Sequence, residues 1–206
     1  LLPEDGFALS AEEVQKHSSL LEGKLNEKVA STRVTVTEAP LQKNVFFRYF
    51  DDEGVATENK TLIKNGVLET YLYNLQTAAK DNTVSTGNGY KGYDGKATIM
   101  ARNVTLKPGR MSEDELIAKC GNGIYIDDLT GLHAGMNPQS GNFSLLSSGF
   151  LIENGKKTKP VALITTAGNL FTVFNNVLGI ANNVELQRNS YQVPSILVRS
   201  ISISGK

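Results

Sequence analysis

Metal-binding side chains are scarce in this chain, which has one cysteine and two histidines among 206 residues. The lone thiol, Cys120, excludes an internal disulfide and fits a reducing compartment. A catalytic zinc takes about three protein ligands and keeps a fourth position open. His17, His133 and Cys120 are far apart in sequence, and no H-E-x-x-H or related paired-His helix occurs. Net charge is missing too: 21 Lys and Arg balance 21 Asp and Glu, so nothing draws the chain toward nucleic acid or an anionic membrane. No apolar run is long enough to span a bilayer, and Leu1-Leu2-Pro3-Glu4-Asp5 lacks the basic and apolar regions of a signal peptide, so a cytoplasmic protein is expected. A start at Leu1 instead of Met is expected of a processed chain or a fragment.

What is present is punctuation for a sheet-rich fold. Leu62-Ile63-Lys64-Asn65-Gly66 and Leu151-Ile152-Glu153-Asn154-Gly155 share one pattern, and Asn-Gly between strand formers predicts two type I′ hairpins. Val34 and Val36 alternate with Thr35 and Thr37 as a half-buried strand ending before Pro40. Strand character also marks residues 97–106, 124–126, 143–152 and 161–166, and a long final strand through Ile196, Val198, Ile201 and Ile203 breaks phase near Arg199-Ser200, as a bulge would. Helices are expected from Ser10, with a Ser10/Glu13 capping box and Val14, Ser18, Leu21 and Leu25 on one face; from Asn74 to Lys80; from a Ser112/Glu115 capping box to Gly121, carrying Leu116, Ile117 and Cys120 inward; and from Asn169 through Ala181. These elements give an α+β domain of mostly antiparallel sheet with about four short helices. An N-terminal helical segment over 1–30 leads into a β-rich domain over 31–206.

Candidate chemistry concentrates in loops. Gly87-Asn88-Gly89-Tyr90-Lys91-Gly92 spells G-x-G-x-x-G, but no helix opens after it to bind a pyrophosphate, so a mobile loop is expected. Asp51-Asp52-Glu53 and Asp127-Asp128 are adjacent carboxylates that an extended backbone would point to opposite faces, and they read as solvated turn charges. Ser147-Ser148-Gly149 is not a nucleophile elbow. Between Gly131 and Ser144, three glycines and an Asn-Pro step surround His133. Such a tight loop can present a site on a rigid scaffold, and glycines at 131 and 135 would let another chain approach closely. His133 is the residue to test first, as a substrate or partner contact or as a loop histidine bonded to backbone; Asn137 and Ser140 suit turn stabilisation.

Six segments in order resemble the TldD/PmbA family, metallopeptidase-related proteins once described as modulators of DNA gyrase. They are the acidic Phe50 to Thr57 with Asp51-Asp52-Glu53-Gly54, the Leu62 to Leu68 hairpin, Gly121 to Asp127 leading to the Gly131 to Ser144 loop, Phe150 to Gly155, Ala167-Gly168-Asn169, and Pro194-Ser195-Ile196-Leu197. The resemblance covers the chain from about Ser10 onward and implies the family's β-rich, barrel-like C-terminal domain, without its N-terminal α/β domain. The catalytic partner in the family has a spaced-His motif and a downstream Cys; the corresponding tail here, 185–194, has no Cys. That implies a PmbA (TldE)-like member with no metal ligands, no cofactor and no catalytic residue of its own, zinc being expected only in a TldD-like partner.

The implied partners are a TldD-like subunit or an identical chain in a dimer, with an unfolded peptide as substrate. Residues expected to touch substrate or partner are His133, Gly135 and Asn137, with Asp51 and Glu53 following from the family motif. The alternatives are a self-contained hydrolase using His133 with a carboxylate, or a structural dimerisation module.

Overall fold

The computed structural model describes residues 8–137, 139–185 and 190–205. It divides into two compact units, one of Leu1–Lys107 with Glu185–Val193 and one of Pro108–Val184 with Pro194–Lys206.

The first unit is built on β1 (Val36–Glu38), β2 (Lys60–Lys64), β3 (Val67–Leu68), β6 (Val104–Leu106) and β11 (Tyr191–Gln192), which form one sheet in the order β11-β6-β1-β2-β3. All its pairs are antiparallel except β11 with β6. A separate ribbon pairs β4 (Gly89–Lys91) with β5 (Ala97–Ile99). The supposed mobile loop is therefore in part a strand, and Gly87, Asn88 and Gly89 are buried. Helices α1 (Ala11–Gln15) and α2 (Leu75–Lys80) are short, and Gln15 Nε2 donates to the Thr77 carbonyl at 2.9 Å to join them. Leu21, Val34, Leu62, Leu68, Leu72 and Val104 are fully buried and form the unit's core. Each contributes about 1.5–3 kcal/mol by leaving water.

The second unit rests on a four-stranded antiparallel sheet of β7 (Gly123–Thr130), β8 (Asn142–Glu153), β9 (Lys156–Asn169) and β13 (Ser202–Ser204), in the order β13-β9-β8-β7. Leu145, Ser147 and Gly149 on β8 face inward while Ser144 and Leu146 face water, so the burial alternates as a half-buried strand requires. A second ribbon pairs β10 (Val177–Ile180) with β12 (Ile196–Val198). Helices α3 (Glu113–Cys120), α4 (Leu132–Gly135) and α5 (Leu170–Asn175) complete it.

The α+β, mostly antiparallel expectation holds, with five short helices, but the described sheets stay open and none closes as a barrel. Both Asn-Gly hairpins form: Asn65 and Gly66 have φ of 49° and 84°, Asn154 and Gly155 of 52° and 75°, the paired positive values that a type I′ turn needs. The Asn74 and Ser112 caps are complete capping boxes with Thr77 and Glu115. The first helix is shorter than its apolar spacing suggests. His17 adopts φ 57° and ends it, and Glu13 turns to the Ser18 hydroxyl at 2.7 Å, so Ser10 makes no side-chain cap. Cys120 is only half-buried, with its thiol 3.8 Å from the Asn122 carbonyl. Asn169 caps α5 by accepting from the Phe171 amide at 3.0 Å, but the helix ends at Asn175 and Val177–Ile180 turn into β10. The last strand's phase break is a change of sheet, with Ile196–Val198 pairing β10 and Ser202–Ser204 pairing β9.

Candidate functional site

Among its described residues, the glycine-rich loop of the second unit is held by a chain of hydrogen bonds. Gly131, at φ 85°, opens α4 without a side-chain cap, and its carbonyl accepts from Ala134 and Gly135 at 3.1 and 2.7 Å. Met136 then bridges Phe143, and the Asn137 amide donates to the Asn142 carbonyl at 2.8 Å. Asn137 Oδ1 accepts from the amides of Gln139 and Ser140 at 3.0 and 2.9 Å, closing an Asx-type turn. Pro138 lies outside the described residues. Asn169 Nδ2 donates to the Ser140 carbonyl and to Asn142 Oδ1 at 2.8 and 2.9 Å, so the start of α5 clamps the turn. Gly135 must lack a side chain, because a Cβ there would stand 2.3 Å from the Ser144 carbonyl oxygen.

Between α4 and the start of β8 lies an open depression of about 590 Å³, lined by Ala134, Gly135, Met136, Asn137, Gln139, Asn142, Phe143 and Ser144. Two of the expected residues, Gly135 and Asn137, form its wall. His133 does not: it is exposed on α4, and among the described residues its ring has no hydrogen-bond partner. The wall carries no ionisable side chain. It can hold neutral, extended chain by shape and hydrogen bonds but supplies no acid or base. The hydrolase alternative thus finds no carboxylate or hydroxyl on His133.

Asp51 and Glu53, in the first unit, come together around Gly89 and hold backbone. Asp51 is buried, its Oδ1 accepting from the amides of Glu53 and Val55 at 3.0 and 2.9 Å and its Oδ2 from Gly89 at 2.8 Å. Glu53 Oε2 accepts from the Leu75 amide at 2.8 Å, the first residue of α2. Asp52 Oδ2 takes the Lys91 amide at 3.1 Å. The motif's acids are backbone acceptors that pin β4 and α2, not the solvated turn charges that adjacent carboxylates suggest. A Cβ on Gly89 would stand 2.6 Å from Glu53 Oε2 and 2.9 Å from Asp51 Oδ2, so the glycine of the G-x-G-x-x-G string serves this junction.

Two polar centres escaped sequence reasoning. Glu38, 1% exposed, pairs with Lys60 at 3.0 Å and accepts from Asn88 Nδ2 and the Arg102 amide at 2.7 and 2.8 Å. Burial pushes its carboxyl up, against the opposing pull of Lys60. Its signal in the sequence is a charge in the buried phase of the Val34, Val36, Glu38 alternation. In the second unit Glu113 accepts from Ser195 Oγ and Asn183 Nδ2, both at 2.8 Å, and from Lys157 at 3.0 Å, while the Lys157 ammonium sits 3.4 Å from the Tyr125 ring centre. Partial burial pushes the Glu113 carboxyl up, but the hydrogen bonds from Ser195 and Lys157 outweigh it and hold the group below its ordinary range. A carboxylate held low is a poor base, so this Ser-Glu-Lys cluster is a clamp, not an activated serine.

Among the described residues no three His, Cys, Asp or Glu side chains come together around a common point, and the donors present do not fit a zinc site. No helix among them is long and apolar enough to cross a membrane.

Residues 6–205 match the family described as the PmbA/TldA metallopeptidase C-terminal domain. The chain is 35% identical over 199 residues to the metalloprotease PmbA homolog of Buchnera aphidicola, covering 96% of this chain and 42% of that protein. A Thermotoga maritima protein described as a modulator of DNA gyrase superposes with a TM-score of 0.90 at 37% identity, over 96% of this chain and 45% of its own. TldE from Thermococcus kodakarensis gives 0.89 at 29% identity, over 96% and 46%. The chain therefore spans less than half the length of these relatives.

Proposed function

From the premise that the chain belongs to the PmbA/TldD metallopeptidase family, through that family's C-terminal domain, we propose that it is the non-metal-binding, TldE-type part of a cytoplasmic peptidase complex. In that role it pairs with a TldD-like subunit, which carries the zinc, and helps to enclose unfolded peptide for processing or degradation. The observation that supports this reading most is the neutral depression at α4, set on a sheet whose edge strand β7 has, among the described residues, a partner on one side only. Extended peptide added at that edge gains main-chain hydrogen bonds with little demand on sequence. The bulge at Ile126/Asp128 twists the edge and guards it against unspecific pairing. The contact roles of His133, Gly135 and Asn137 belong to this proposal.

The test is light scattering of the protein mixed with its TldD-like partner, alongside zinc titration and a peptidase assay of the protein alone. A mixed complex that His133→Ala weakens is expected. Stoichiometric zinc binding, or hydrolysis without a partner, refutes the assignment.

A further inference from the structure

The depression at α4 presents hydrogen-bond donors, because the turn that walls it uses its acceptors on itself. The Asn137 carbonyl accepts from the Gly141 amide, the Gly141 carbonyl from the Leu170 amide and the Ser140 carbonyl from Asn169 Nδ2. The two carboxamides in the wall are turned by bonds of the same kind. Asn137 Oδ1 accepts from the amides of Gln139 and Ser140 at 3.0 and 2.9 Å. A backbone N–H only donates, so the atom it meets is the oxygen and Nδ2 is the end left over. Asn142 is fixed one step further along. The Phe171 amide donates to Asn169 Oδ1 at 3.0 Å, which turns Asn169 Nδ2 to Asn142 Oδ1 at 2.9 Å and leaves Asn142 Nδ2 as the free end. Among the described residues neither Nδ2 has a hydrogen-bond partner. The two residues belong to one site, since the Asn137 amide donates to the Asn142 carbonyl at 2.8 Å and both side chains line the depression. Gln139 and Ser144, the other polar side chains there, rotate to donate or to accept, and no side chain in the wall is charged. The carboxamides whose direction is fixed therefore offer only N–H donors, beside the apolar surface of Met136 and Phe143.

We propose that Asn137 and Asn142 form a carbonyl-binding pair, which holds the main chain of an extended peptide by its C=O groups and makes no use of its N–H groups. Neutral donors suit a neutral acceptor, because an anion would give up water for a wall with no charge to replace it. The amide carbonyl, repeated at every residue of a peptide, is that acceptor. Strand addition at β7 differs, since a ladder uses the N–H and C=O groups of the added chain together. Recognition through carbonyls alone also admits proline, which lacks the N–H. That a peptide carries these carbonyls rests on the peptide-handling reading; the direction of the two carboxamides does not.

The experiment is nitrogen-15 NMR titration with N-acetyl-Ala-Val-Ala-Val-Ala amide and with the same peptide N-methylated at both valines, acetate serving as competitor. Both peptides should shift the side-chain NH2 signals of Asn137 and Asn142, and their affinities should agree within about twofold, since methylation removes no hydrogen bond that the pair makes. Asn137→Asp and Asn142→Asp keep the oxygens that hold the turn and replace the donors by oxygen. Each should weaken both peptides about tenfold, as a carbonyl left facing an acceptor would. Unchanged affinity in both variants overturns the pair. So does a methylated peptide bound about tenfold more weakly, the loss expected if its N–H groups are used, or a pair of NH2 signals that stays in place while the plain peptide binds; either result leaves peptide handling at β7 intact. Acetate that displaces the peptide at equal concentration makes the site an anion site and overturns the pair. Binding of neither peptide overturns the pair and the peptide-handling reading together.

Discussion

Lys60→Met would remove the only cation that, among the described residues, pairs with a carboxylate 1% exposed, and the cost can be worked from the geometry. Truncating one partner of a buried ion pair costs about 3–5 kcal/mol, because the other charge is left in a medium that cannot solvate it. Here Glu38 keeps two hydrogen bonds, from Asn88 and the Arg102 amide, but both fall on Oε1, and Oε2 loses Lys60 at 3.0 Å. The chain also has an escape, which is to protonate Glu38. Against an ordinary glutamate value of 4.5, neutralising the group at pH 7 costs about 3.4 kcal/mol, from 1.36 kcal/mol per unit. That escape caps the loss, so about 3 kcal/mol is expected at neutral pH.

The pH dependence follows from the same group. Glu38 is held above its ordinary value in the native protein, so the folded chain binds the proton more readily than the unfolded one. Its favourable contribution is complete below 4.5 and is lost as pH rises through the folded value. Removing Lys60 pushes that folded value further up, so the penalty of the variant shrinks toward pH 4.5 and grows toward neutrality. Urea denaturation followed by the tyrosine signal at several pH values measures it. In the double variant Glu38→Gln/Lys60→Met the acceptor Oε1 survives without a charge, and at least half of the loss should return. A loss under about 1 kcal/mol at pH 7, well below the buried-pair range, or one that does not change with pH, would refute the reasoning.

Three further outcomes are expected. Gly135→Ala drives a Cβ to 2.3 Å from the Ser144 carbonyl oxygen and 2.9 Å from Leu145 Cδ2, so it should cost about 1–3 kcal/mol and move the α4 amide resonances; an unchanged melting temperature would contradict the close approach. Leu163 holds φ 54° while 80% exposed, so Leu163→Asn relieves backbone strain with little burial lost and should add about 1 kcal/mol in denaturation; a loss would mean that the side chain is in use. Glu113 is held below its ordinary value, so its stabilising contribution is present above 4.5 and disappears as pH falls through the folded value. Ser195→Ala should raise the Glu113 carboxyl in a carbon-13 NMR titration, and no movement would show that the Ser195 hydrogen bond contributes nothing.

Local chemistry was legible wherever one residue type decides the backbone. Asn-Gly set both hairpins because few residues tolerate two successive positive φ values, and Ser112 with Glu115 set the start of α3 because the cap lies within four residues. The stretch from Leu170 to Ala181 was not legible. Phe171, Phe174, Val177 and Leu178 satisfy a helical stripe, but Ile196–Val198, distant in sequence, offers Val177–Ile180 a ladder. Gly179 then lets β10 lie against α3, since a Cβ there would meet Leu116 Cδ1 at 2.6 Å. A partner far along the chain decides between two periods that the apolar residues fit equally.

The site divides in the same way. The Gly131 to Ser144 loop stood out by composition, and the structure makes it a clamped turn beside a depression, with Gly135 and Asn137 in the wall and His133 outside it. The three acids at 51–53 read as solvated charge because sequence shows side chains and hides the amides they meet. Asp51 faces three N–H groups, one of them on Gly89, 38 residues away. A carboxylate so surrounded spends its oxygens on backbone amides and holds two distant segments of chain together. The acidic motif therefore fixes β4 and α2, Asp51 through Gly89, Asp52 through Lys91 and Glu53 through the first amide of the helix.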